Sequence, residues 1–193
     1  MGRASRRAEP AHNAAQLRAL GFDVAGEITA PGTIEGGDVI WLDDKALAVG
    51  EGPRTNAEGI RQLKEILSSE VEVHVVPLPA PRHPEDVFHL MSMISPLDED
   101  LALIYAPLIP ESFMAWLEGR GIAFVEVPEE EFIPMGCNVL ALGPRDLLML
   151  DRLPVTKARL EAAGCRVQTY KGDEISRKGE GGPTCLTRPL VRE

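Results

Sequence analysis

Residues 38–50 read DVIWLDDKALAVG. Two short apolar runs, Asp38–Leu42 and Ala46–Gly50, flank a polar Asp43-Asp44-Lys45 turn, the pattern of two paired strands. Downstream, Thr55–Ser68 sets Ile60, Leu63 and Leu67 on one face with Ile66 beside it, the spacing of a helix with one apolar side. Val71–Leu78 (VEVHVVPL) then alternates as a strand does. The order is strand, strand, helix, strand.

That order recurs. Asp86–Ser95 and Leu101–Ala106 read as strands, Pro110–Gly119 as a helix and Ile122–Val127 as a closing strand. It recurs again in Asn138–Leu142, Asp146–Leu150, Pro154–Ala163 and Cys165–Tyr170. Pro110 and Pro154 fall where a first-turn proline is welcome, and Gly119, Gly121 and Gly164 stop the helices. Three complete ββαβ units are therefore expected, over about 34–80, 84–128 and 136–172. The ends read as fragments of the same unit. His12–Leu20 and Phe22–Ile28 supply a helix and a strand within 1–30, and Thr184–Val191 supplies one strand within 182–193. An α/β protein of pseudo-repeats closing on themselves as a single domain, 1–193, accounts for this pattern.

Composition narrows the function classes. Thirty acidic residues against twenty basic ones give a formal charge of −10, which weighs against nucleic acid as a partner. The start, MGRASRRAEP, has no apolar core for a signal peptide, and Arg6 breaks the myristoylation pattern. No apolar run approaches the ~20 residues that span a bilayer, so a cytoplasmic protein with no membrane partner is expected. Cys137, Cys165 and Cys185 are odd in number and lack metal-type spacing. His12, His74, His83 and His89 form no metal motif, and no metal or organic cofactor is expected.

Four segments carry candidate chemistry. Cys185 follows a glycine-rich run in Gly182-Pro183-Thr184-Cys185, where a thiol is either exposed and reactive or a small core residue. His89, in Phe88-His89-Leu90-Met91-Ser92, is either a core histidine on the first strand of its unit or a general acid/base. Glu35 and Asp38 flank Gly36-Gly37 at a strand start, as a turn or as a grip for a guanidinium. Arg54, beside the helix start at Thr55-Asn56, is a surface arginine or a fork for a substrate carboxylate. Glu35, His89 and Cys185 all sit at or in the first strand of a unit, so units arranged around an axis would bring them to a common centre.

IEGGDV (34–39), RTN (54–56), FHLMS (88–92) and GGPTCLTRPL (181–190), in this order and spacing, resemble the guanidino-group-modifying (pentein) superfamily. That superfamily includes dimethylarginine dimethylaminohydrolase, arginine deiminase and the amidinotransferases. The resemblance implies an α/β propeller of five ββαβ units around a pseudo-fivefold axis. It implies Cys185 as nucleophile, His89 as general acid/base and Glu35 as the acidic member of a triad. It implies Arg54 as a ligand of the substrate carboxylate, an arginine of Ser5-Arg6-Arg7 as a second one (Arg6 is taken here), and Asp38 as a site neighbour that binds or tunes. The resemblance implies a small guanidino substrate as partner, and a homodimer is an option. Met91, two residues after His89, departs from the His-x-Asp of deiminases and leans toward hydrolysis of an Nω-methylated arginine to citrulline and an amine. Deimination, amidino transfer and a non-catalytic binding or regulatory role are the alternatives. Five units of ~50 residues want about 250, so the fold is expected to be incomplete at the N-terminus.

Overall fold

The computed structural model describes residues 4–80 and 88–190. His83, and Asp86 and Val87 at the head of an expected strand, lie outside them, as does Val191. The chain divides after Leu90 into two compact units.

In the first unit a 3-10 turn at Ala4–Arg6 leads to α1 (Glu9–Ala19), which buries none of its residues. Phe22–Ile28, expected as a strand, joins no sheet. The end of that segment is tied to a helix instead: Gln62 accepts from Thr29 N at 2.8 Å and donates to Thr29 O at 3.0 Å. The strands β1 (Val39–Asp43) and β2 (Ala46–Glu51) pair antiparallel, with Val39 opposite Val49. After α2 (Ala57–Ile66) the chain returns as β3 (Glu72–Pro77), parallel to β2 with Leu47 opposite Val73. Asn56 caps α2, its side chain accepting from Gly59 N at 2.8 Å. Gly59 lets α2 lie against the Thr33 backbone, because a Cβ there would stand 2.2 Å from Thr33 O. The fully buried Leu47 and Val49 pack with Ile60 under α2, each contributing about 1.5–3 kcal/mol of burial.

The second unit contains two more such sheets. One joins β4 (Ile94–Asp98), β5 (Leu101–Ile104) and β6 (Ala123–Glu126), with α3 (Glu111–Gly119) in the crossover. After α4 (Glu129–Phe132), the other joins β7 (Leu140–Gly143), β8 (Asp146–Leu150) and β9 (Arg166–Tyr170), with α5 (Pro154–Ala162) in the crossover. The short α6 (Ser176–Gly179) follows. One core spans both sheets and includes Leu97, Leu103, Leu147, Met149, Leu160, Cys137 and Cys165. Arg145 fastens them, bonding Asp98 at 3.0 Å, Asp100 at 2.6 Å and Ala163 O at 2.8 Å. Glu131 caps α5 from outside its own crossover, accepting from Val155 N at 2.9 Å and Thr156 N at 2.8 Å.

All three sheets share one connectivity, antiparallel then parallel, and one irregularity. The register shifts at Trp41/Asp43, at Pro96/Asp98 and at Ala141/Gly143. The ββαβ repeat is therefore real down to its bulge.

Two further strand expectations are corrected. His89 is not in a strand: Leu90–Ser92 form a 3-10 turn and β4 begins at Ile94. Its partner sets the limit, since β5 has only four residues and Ala106–Leu108 turn away. Cys185 lies in a turn as well, closed by Leu186 N on Gly182 O at 3.3 Å and by the Thr187 hydroxyl on Pro183 O at 2.8 Å. No described residue of 184–190 is in a strand.

Candidate active site

In the first unit four candidate side chains meet. Glu35 precedes the 3-10 turn Gly36–Asp38, which delivers the chain into β1. His89 stands in the same relation to Leu90–Ser92 and β4. Glu35 is 4% exposed and Asp38 fully buried. His89 Nδ1 is 3.0 Å from Asp38 Oδ1, which also accepts from Leu90 N at 3.1 Å. Thr55 donates its hydroxyl to Asp38 Oδ2 at 2.5 Å and accepts from Glu35 N at 3.0 Å. A carboxylate only accepts, so Nδ1 carries a proton toward Asp38. Nε2 lies 3.5 Å from Glu35 Oε2, which is also 3.5 Å from Arg54 Nε.

Gly37 makes this fit possible, since a Cβ there would come within 2.8 Å of His89 Cγ, whereas Gly36 faces open space. Asp38 thus orients His89 through a buried network, and Glu35 and Arg54 occupy the other side of the ring. Arg6 is half exposed, paired with Glu9 through two 2.7 Å bonds, and feels the charge of Glu35. The bond to Glu9 holds its pKa above the ordinary value, opposed by partial burial.

The second unit holds Cys185, which is exposed, whereas Cys137 and Cys165 are buried. Burial pushes both buried thiols up, away from reactivity. Asn138 Nδ2 donates to Cys185 Sγ at 3.0 Å. Asn138 Oδ1 accepts from Thr184 N at 3.0 Å and from the Thr184 hydroxyl at 2.8 Å.

Thr55 and Asn138 are the residues that sequence reasoning passed over. Thr55 sits at the helix start, where the cap is its neighbour Asn56. For Asn138 a signal exists: Gly136-Cys137-Asn138-Val139 repeats the grammar of Gly36-Gly37-Asp38-Val39. Among the described residues no cluster of His, Cys, Asp and Glu could hold a metal ion, and no helix is long and apolar enough to cross a membrane.

Comparison with known proteins gives the fold and the family. A solved structure of DDAH from Pseudomonas aeruginosa, a cysteine-to-serine mutant complexed with citrulline, superposes with a TM-score of 0.76 at 30% identity, covering 96% of this chain and 67% of that one. The N-terminal domain of ArgZ, a cyanobacterial arginine dihydrolase bound to product, matches in fold with a TM-score of 0.83 at 23% identity, over 98% of this chain and 68% of that one. The fold is that of the pentein superfamily. The family model for arginine deiminase matches residues 10–117 and 108–192. Arginine deiminase from Listeria welshimeri is 34% identical over 197 residues, 84% of this chain and 48% of that protein. The uncharacterized protein YkgA of Bacillus subtilis is also 34% identical, over 83% of this chain and 53% of its own length. The chain belongs to the arginine deiminase family and spans about half the length of the curated relatives it matches.

Proposed function

We propose that this chain hydrolyses the guanidino group of an arginine-derived substrate, with Cys185 as nucleophile and His89 as general acid/base. The observation that carries the reading is His89 itself. Its Nδ1 is fixed by buried Asp38 and its Nε2 faces Glu35, the arrangement that readies one ring nitrogen for proton transfer.

The Cys185 thiolate adds to the guanidinium carbon and a C–S bond forms. The C–N bond to the departing amine breaks as His89 Nε2 gives that nitrogen its proton. A cationic thiouronium remains on the sulfur. Water then adds to the same carbon and passes a proton to Nε2, the C–S bond breaks, and the ureido product, citrulline, leaves. The proton still on the product is released to solvent, where the amine takes one up. Glu35 offsets the charge of the guanidinium, and Arg54 fits the substrate carboxylate through its planar fork.

Met91, two residues after His89, favours an Nω-methylated arginine, because no second carboxylate follows the histidine there. Arginine itself is the second reading, favoured by the deiminase relatives. Both are separated by one assay. Incubation with asymmetric dimethylarginine or with arginine should release citrulline with dimethylamine or with ammonia. Folded protein inert toward both overturns the reading, as does full turnover by Cys185→Ser.

A further inference from the structure

The repeat allows the two candidate groups to be compared position by position. Asp38 and Asn138 stand at the same place ahead of the bulge that ends the register of β1 and of β7. Asp38 bonds His89, which lies in the segment following β3. Asn138 bonds Cys185, which lies in the segment following β9. In the middle repeat the corresponding residue is Met93, fully buried and apolar. The mouth of the first strand is thus a seat for a side chain that the chain brings in after completing the sheet.

At Asn138 this seat is set with care. Thr184 N can only donate, so the atom facing it must be the Asn138 oxygen, and the Thr184 hydroxyl is a second donor to that oxygen. With Oδ1 held on both counts, the amide nitrogen is turned to the sulfur at 3.0 Å. Gly182 completes the fit, since a Cβ there would come within 2.4 Å of Asn138 Cγ and Oδ1. The amide has only donors to offer the sulfur, and a thiolate accepts far better than a thiol.

We propose that Asn138 is a positioning residue for Cys185, aiming the sulfur and favouring its anionic form by donating an amide N–H to it. The proposal rests on the reading of Cys185 as nucleophile, but its test does not need turnover. Asn138→Asp keeps the size of the side chain and the oxygen that Thr184 bonds, and replaces the donor with a negative oxygen. Asn138→Ala removes the donor without adding charge. Alkylation of Cys185 by iodoacetamide is measured from pH 6 to pH 11 in full-length wild type and both variants, with the site confirmed by mass spectrometry.

Near pH 7 both variants should react about tenfold more slowly than wild type, the equivalent of about one pH unit. Their rates should rejoin that of wild type at the alkaline end, where the thiol is ionised in all three. In the citrulline assay kcat should fall with KM little changed. Variants as reactive as wild type near neutrality overturn the proposal. So does a slowing that persists equally at every pH, which marks lost access or a disordered loop. Should wild type turn over no guanidine while its alkylation still depends on Asn138, the function reading falls and the role of Asn138 stands.

Discussion

Asp38 with His89 and Asn138 with Cys185 are two versions of one device. Each places a short polar side chain at the mouth of a first strand, and each grips a group delivered after that sheet is complete. They differ in sign. The imidazole receives an acceptor, which fixes its tautomer, while the sulfur receives a donor, which suits an anion. They also differ in depth: Asp38 is fully buried and served by Leu90 N and Thr55, whereas Cys185 is exposed. One scaffold position can therefore serve opposite chemical needs by exchanging a carboxylate oxygen for an amide nitrogen.

The sharpest way to break the comparison is to give the histidine the amide. Asp38→Asn would leave Nδ1 facing a group that need not accept, and kcat for citrulline release should fall by about 10³–10⁴. The same change strips a charge-assisted acceptor from Leu90 N and the Thr55 hydroxyl, so unfolding in urea should show a loss of about 1–3 kcal/mol. A fall in stability with kcat intact would mean that Asp38 only braces the turn.

Next come the glycines against which each pair rests. Gly37→Ala forces a Cβ to within 2.8 Å of His89 Cγ, and Gly182→Ala one to within 2.4 Å of Asn138 Cγ. Each should lower kcat by about 10- to 100-fold through a misplaced reacting group. Gly36→Ala meets nothing within 4 Å and serves as the control, expected to keep wild-type kinetics.

The smallest effect calibrates what a buried carboxylate does without chemistry. Burial raises the pKa of Glu131, but the bonds from Thr156 and Val155 outweigh it, and the net result is a pKa below the ordinary value. A group whose pKa is lower folded than unfolded stabilises the fold above its unfolded pKa, and that contribution is lost as pH falls through the folded one. Glu131→Gln should therefore destabilise by about 1 kcal/mol at pH 7 and converge on wild type toward pH 3, with kcat unchanged throughout. Urea titrations at both pH values read the difference.

Much of the fold was legible because apolar spacing writes the core directly. Leu47 and Val49 beneath Ile60, and Leu147 and Met149 with Leu160, are the residues that the alternating and helical periods mark. The strand limits around His89 and Cys185 were not legible. Phe88–Ser95 is apolar enough for a strand, but a ladder extends only as far as its partner, and the length of β5 is set by the turn at Ala106–Leu108. Phe22–Ile28 failed for the same reason, having strand composition and no partner. In the site, Glu35, Arg54 and His89 were drawn from the sequence and do meet in the first unit. Thr55 and Asn138 escaped notice because a hydroxyl or amide gains its meaning from what it faces, and that pairing spans 17 residues for Thr55 and 47 for Asn138.

Because the 3-10 turn ahead of β1 supplies the acceptor for a histidine that arrives only after β3, the histidine's alignment depends on a strand mouth far from it in sequence. Local opening at Gly36–Asp38 need not disturb the β2–β3 ladder, and such openings cost far less than global unfolding. The molecule would fall silent before it melted, so heat inactivation should run ahead of the loss of its circular dichroism.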